Sequence, residues 1–134
     1  MNKEKKRVHH TGLELLLDLY DCKTAALNDA AALERIMRAA VELARFDVVE
    51  SVAHQFPHQG VTLVLILGQS HATLHTWPEA RFVTADVYVC GQTDATKAAL
   101  ETIREHLVAR FKAHSFSARL IERGLDTAAP EVVR

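Results

Sequence analysis

The chain has 134 residues, 49% hydrophobic and 25% charged, the profile of one soluble globular domain rather than a disordered segment. Its net charge of −1 supplies no field to recruit nucleic acid or an anionic membrane, and no apolar run is long enough to span a bilayer. Two cysteines, Cys22 and Cys90, are too few for a disulfide framework, so a reduced, cytoplasmic protein with free thiols is expected.

In chain order, "KEKKR" at 3–7 marks a basic tail over residues 1–10. "TGLELLLDLY" (11–20) reads as a strand. Asn28 and Asp29 offer a helix cap, and behind them Leu33, Ile36, Met37, Ala40 and Ala44 recur at the spacing of one helix face. "DVVESVAHQF" (47–56) is a second strand and "PHQG" (57–60) a turn. Residues 61–67 are apolar at both parities, which predicts a strand covered on both faces. "SHATLHTW" and "RFVTADVYVC" are two further strands joined around Pro78. A second helix from Asp94 aligns Leu100, Ile103, Leu107 and Phe111 before a last strand, "SFSARLIER", and a tail over 125–134. Strand, helix, four strands, helix, strand predicts an α+β fold: a two-layer sandwich of a mainly antiparallel sheet with two helices on one face, in a single domain over 11–124.

Reactive side chains crowd "GQSHATLHTWPE" (68–79). His54 and His58, and His71 and His75, are four apart, a metal-binding spacing on a helix. On a strand, four residues span roughly 13 Å, too far for shared coordination, so no metal site is expected. Ser70 and His75 suggest an activated nucleophile, but a five-residue offset puts them on opposite faces of a regular strand. Only a turn at Ser70, or a bulge, would let them converge. An ordinary satisfied polar pair is the competing reading. Cys90, at a strand end before Gly91, reads either as a small buried hydrophobe or as a site thiol.

Taken together, "SHATLHTWPE" followed by "DVYVCG", with "LLLDLYDC" and "HQFPHQGVT" upstream, resembles the bacterial and archaeal S-adenosylmethionine decarboxylases, pyruvoyl-dependent enzymes of spermidine synthesis. The resemblance runs from about Gly12 to Gly124. It implies that Ser70 attacks the carbonyl of Gln69, forming an ester by N-to-O acyl shift. Elimination then cuts the chain between Gln69 and Ser70, and uptake of water with loss of ammonia leaves Ser70 as a pyruvoyl cofactor, which forms a Schiff base with the substrate amine. By the same resemblance His75 is an acid/base group in processing, and Thr62 supports processing. Cys90 returns a proton after decarboxylation, a step that suits a thiol, whose ordinary pKa is about 8.5. Phe56 would stack on adenine and Glu79 would hold the ribose hydroxyls. The family's homodimers carry their sites at or near the subunit interface.

Three positions depart from the family pattern. Gln69 stands where the family has glutamate, Thr62 where it has serine, and Ala95–Thr96 where a Pro–Trp pair is common. Gln69 keeps the carbonyl that cleavage needs but removes a charge facing a cationic substrate. Because Phe56 and Glu79 are the residues a nucleoside would want, S-adenosylmethionine is the expected substrate. The alternatives are a shifted amino acid such as ornithine or arginine, and a non-processing regulatory homologue.

Overall fold

A computed structural model describes residues 10–125, so the expected tails lie, apart from His10 and Leu125, outside the described residues. The element order is the expected one: β1 (Thr11–Cys22), α1 (Ala30–Leu43), β2 (Glu50–Gln55), β3 (Val61–Ile66), β4 (His71–Trp77), β5 (Phe82–Cys90), α2 (Asp94–Arg110) and β6 (Ala113–Gly124). The strands form one sheet in the order β2-β3-β4-β5-β1-β6, antiparallel at every pairing. The expected α+β sandwich is the observed fold.

Both helices are capped by side chains. Asp29 accepts from the Ala32 N–H at 3.1 Å ahead of α1, and Thr93 accepts from the Thr96 N–H at 3.1 Å ahead of α2. The apolar stripe of α1 buries Leu33, Ile36, Met37 and Ala40, while α2 buries Leu100, Ile103 and Leu107. They pack on one face of the sheet, to which β1 contributes Leu13, Leu15, Leu17 and Leu19, and β3 contributes Val61, Leu63 and Leu65. Burying such side chains in one layer is the main stabilising term, about 1.5–3 kcal/mol for each large aliphatic residue. Ala44 lies just past the end of α1.

One expectation fails. β3 is not covered on both faces: Val61, Leu63 and Leu65 are buried, but Thr62 and Val64 are half-buried and Ile66 is exposed. Among the described residues, no helix covers the second face of the sheet. Its apolar side chains, Leu16, Val64, Ile66 and Trp77 among them, stand beside Thr62, His71, His75 and Cys90. The open face is where the reactive residues are.

Candidate active site

Ser70 precedes β4 rather than belonging to it. The Leu67 N–H donates to the Ser70 carbonyl at 2.8 Å, closing a two-residue hairpin loop of Gly68 and Gln69. Gly68 has φ +76°, a conformation suited to glycine at the first position of such a loop. The Gln69–Ser70 peptide bond therefore sits at the tip of a tight turn. Across from it, at the end of β5, the exposed Cys90 Sγ lies 3.9 Å from the Gln69 carbonyl oxygen and 3.7 Å from its Oε1. Gln69, Ser70 and Cys90 form one cluster.

At the other end of β4, Thr62 stands opposite His75, and Thr62 Oγ1 and His75 Nδ1 share a hydrogen bond of 2.9 Å. They line a cleft of about 450 Å³ with Phe56, His58, Gln59 and Trp77. Phe56 is held there by its backbone. Its N–H donates to the Gly60 carbonyl at 2.9 Å, and the Gly60 N–H donates to Asn28 Oδ1 at 2.8 Å. Gly60 has φ +100°, and a Cβ at that position would meet the Thr76 carbonyl oxygen at 2.9 Å, so the loop requires glycine. The buried Thr76 hydroxyl fastens the loop from below: it accepts from the Val61 N–H at 2.9 Å and donates to the Leu27 carbonyl at 2.7 Å. Glu79 is exposed in the short 3₁₀ turn Pro78–Ala80 just beyond β4.

Phe56, Thr62 and His75 thus gather in one cluster, and Gln69, Ser70 and Cys90 in another. Ser70 does sit in a turn, yet it does not reach His75 within the protomer. They are five positions apart, about 16 Å at the strand rise. The spacing of His71 and His75 along β4 likewise keeps them from sharing an ion.

Three features around these clusters escape sequence reasoning. Trp77 lines the cleft beside His75, with ring centroids 6.2 Å apart, and stacks toward Phe82 at 5.4 Å. Its place two residues after His75 on the same strand was the available signal. Thr76 is the second, identifiable only by its burial. The third is a polar group near the turn: His71 pairs with Asp86 at 3.0 Å and Arg123 with Glu14 at 3.0 Å, while Arg123 lies over the Tyr88 ring at 5.3 Å. Ligand atoms of Glu14, His71 and Asp86 come within 4.8 Å of one another, and each carboxylate already has a nitrogen partner, so the group is joined by hydrogen bonds.

Burial, with the Asp21 charge adding to it, pushes the Cys22 thiol up to about 11. That leaves the exposed Cys90 as the accessible thiol of this chain's two.

The family model for S-adenosylmethionine decarboxylase matches residues 13–124. An S-adenosylmethionine decarboxylase proenzyme from Prochlorococcus marinus is 36% identical over 117 residues, spanning 87% of this chain and 94% of that protein. One from Methanococcus aeolicus is 34% identical over 98 residues, 73% of this chain and 84% of its own length. The crystal structure of the adenosylmethionine decarboxylase from Aquifex aeolicus superposes with a TM-score of 0.75 at 26% identity, covering 92% of this chain and all of that one. The hairpin turn with its serine and the His-Thr-Trp-Pro-Glu strand end therefore have a family context: the chain belongs to the S-adenosylmethionine decarboxylase family.

Proposed function

We propose that this chain is a self-processing S-adenosylmethionine decarboxylase of polyamine synthesis, and that its working site is built from two protomers. The observation that carries the proposal is the separation of the two clusters at opposite ends of β4. Cleavage calls for an acid/base group at Ser70, yet His75 sits about 16 Å away by strand rise. An isologous dimer packing the two open faces together can bring the turn of one protomer to the cleft of its partner. The half-buried Val64 and the exposed Ile66 and Trp77 give that contact its apolar content.

In this arrangement Ser70 is the precursor of the pyruvoyl group. The residues around it fit that use: Ser70 directly follows the two-residue loop of Gly68 and Gln69, with the Gln69 carbonyl turned to the Cys90 thiol. When formed, the group supplies an electron-accepting carbonyl on which an α-amino acid can lose carbon dioxide. His75, oriented by Thr62, holds or moves the proton that processing displaces. Phe56 and Trp77 offer aromatic walls to a purine and Glu79 a carboxylate to the ribose hydroxyls. Gln69 presents a neutral amide to the cationic part of the substrate, and Cys90 delivers the final proton. The aromatic-walled cleft favours a nucleoside substrate, since ornithine or arginine has no use for it. Retention of Ser70 and Cys90 speaks against a purely regulatory protein. A reduced, cytoplasmic setting suits the two free thiols.

The test is co-expression of two inactive variants, Ser70→Ala and His75→Ala, carrying distinguishable masses. Sites shared between protomers predict that the His75→Ala chain, uncut alone, is cleaved when paired with the Ser70→Ala chain. Failure to cut in the mixed dimer means that the site is complete within one protomer, or that no such dimer forms.

A further inference from the structure

The sequence offers both Asn28 and Asp29 as caps for α1, and it is Asp29 whose side chain accepts from the Ala32 N–H. The Asn28 side chain is turned elsewhere. Asn28 ends the short 3₁₀ turn Ala25–Asn28 between β1 and α1, held in place by the buried Leu27 before it and the Asp29 cap after it. From there Asn28 Oδ1 accepts two hydrogen bonds, from the Gly60 N–H at 2.8 Å and from Gln55 Nε2 at 3.0 Å. These donors lie 32 and 27 residues further along the chain, at the two feet of the loop that joins β2 to β3.

The bonds close on themselves. The Gly60 carbonyl accepts from the Phe56 N–H at 2.9 Å and from Gln55 Nε2 at 3.1 Å, so the two hydrogens of the Gln55 amide bridge Gly60 to Asn28. The next amide, that of Val61, reaches the same 3₁₀ turn through the Thr76 hydroxyl, which donates to the Leu27 carbonyl. Residues 56–59 are exposed between these feet, whereas Gly60 is buried. A buried N–H needs an acceptor, so the Gly60 amide lies where Asn28 places its oxygen. The Phe56 backbone follows, because its own N–H is bonded to the carbonyl of that glycine. The ring then meets that of His54 edge to face at 4.6 Å.

We propose that Asn28 is a positioning residue for substrate binding: through the Gly60 amide it holds the Phe56 ring at the depth and angle at which a purine meets it. This role rests on the reading above that Phe56 stacks on adenine. Asn28 stands outside the lining of the cleft, so it acts on binding through Phe56 and not on the proton steps given to His75 and Cys90. Both of these bonds use its oxygen alone. A carboxylate supplies that oxygen with charge-assisted hydrogen bonds, and a negative charge just ahead of α1 is favourable there. Alanine supplies no acceptor. Asn28→Asp is therefore expected to keep the clasp and Asn28→Ala to lose it.

Two measurements on the full chain test this. Backbone hydrogen exchange needs no substrate: Asn28→Ala should speed exchange of the Gly60 amide about fivefold, the loss of one net hydrogen bond, and Asn28→Asp should leave it at the wild-type rate. In decarboxylation of S-adenosylmethionine, Asn28→Ala should raise KM about three- to fivefold with kcat little changed, and Asn28→Asp should restore it. In a Phe56→Ala background Asn28→Ala should add nothing further, since its effect runs through that ring. Exchange at Gly60 that Asn28→Ala leaves unchanged overturns the clasp. If Phe56→Ala raises KM and Asn28→Ala does not, or if the two effects add, the positioning role is overturned while the adenine reading stands. If Phe56→Ala itself leaves KM unchanged, the adenine reading fails and the role of Asn28 in binding fails with it.

Discussion

Thr76→Val replaces one side chain by another of nearly the same shape, and its cost follows from two bonds. The Thr76 hydroxyl is buried, 2.9 Å from the Val61 N–H and 2.7 Å from the Leu27 carbonyl oxygen. Valine fills the space but leaves both backbone groups without that partner. A buried polar group left unsatisfied costs about 1–3 kcal/mol, so the pair together costs about 2–6 kcal/mol. At roughly 2.1 cal/mol/K of unfolding entropy per residue, a chain of this length loses about 3–4 °C in Tm per kcal/mol, giving a fall of about 7–21 °C. Thr76→Ser keeps the hydroxyl and loses only a methyl group, worth about 1 kcal/mol. Calorimetry of the three proteins measures the difference. If Thr76→Val is no less stable than Thr76→Ser, the hydroxyl is not what ties the Phe56–Gly60 loop to the sheet.

Other outcomes follow from the same geometry. Iodoacetamide on the native protein at mild alkaline pH should modify Cys90 and spare Cys22, whose thiol burial holds it protonated up to about 11; peptide mapping that finds Cys22 alkylated without denaturant contradicts this. His106 has a buried Nε2 without a hydrogen-bond partner among the described residues, and burial, then the Arg110 charge, lowers its pKa from 6.5. The unfolded chain then binds the proton more readily, so stability is complete above about pH 6.5 and falls as the pH drops below it toward the lower folded value. His106→Leu should flatten that fall, seen as a smaller change in Tm between about pH 7 and pH 5; an unchanged slope refutes it. Phe56→Ala should raise KM for S-adenosylmethionine about tenfold with a smaller effect on kcat, the loss of about 1.4 kcal/mol of stacking. Unchanged kinetics would remove adenine from the cleft.

The order of elements was legible because both helices carry clear stripes and caps, and because Gly and Pro punctuate the strands. The exposure of β3 was not legible. An uninterrupted apolar run looks the same whether its second face meets a helix of its own chain or stands open as here. The separation of Ser70 from His75 followed from strand rise alone. The contact of Thr62 with His75 was within reach. A two-residue loop at Gly68–Gln69 sets Ile66 opposite His71, and stepping down the ladder sets Thr62 opposite His75. The network of Glu14, His71, Asp86 and Arg123 draws on β1, β4, β5 and β6, and no local pattern announces a meeting of four strands.

The most direct measurement is the intact mass of the purified chain under denaturing conditions, beside a Ser70→Ala control. The account predicts two pieces, the first 69 residues and the remaining 65, the second blocked at its N-terminus by a pyruvoyl group, while the control stays whole. A single full-length species in both samples after prolonged incubation would contradict self-processing in this chain.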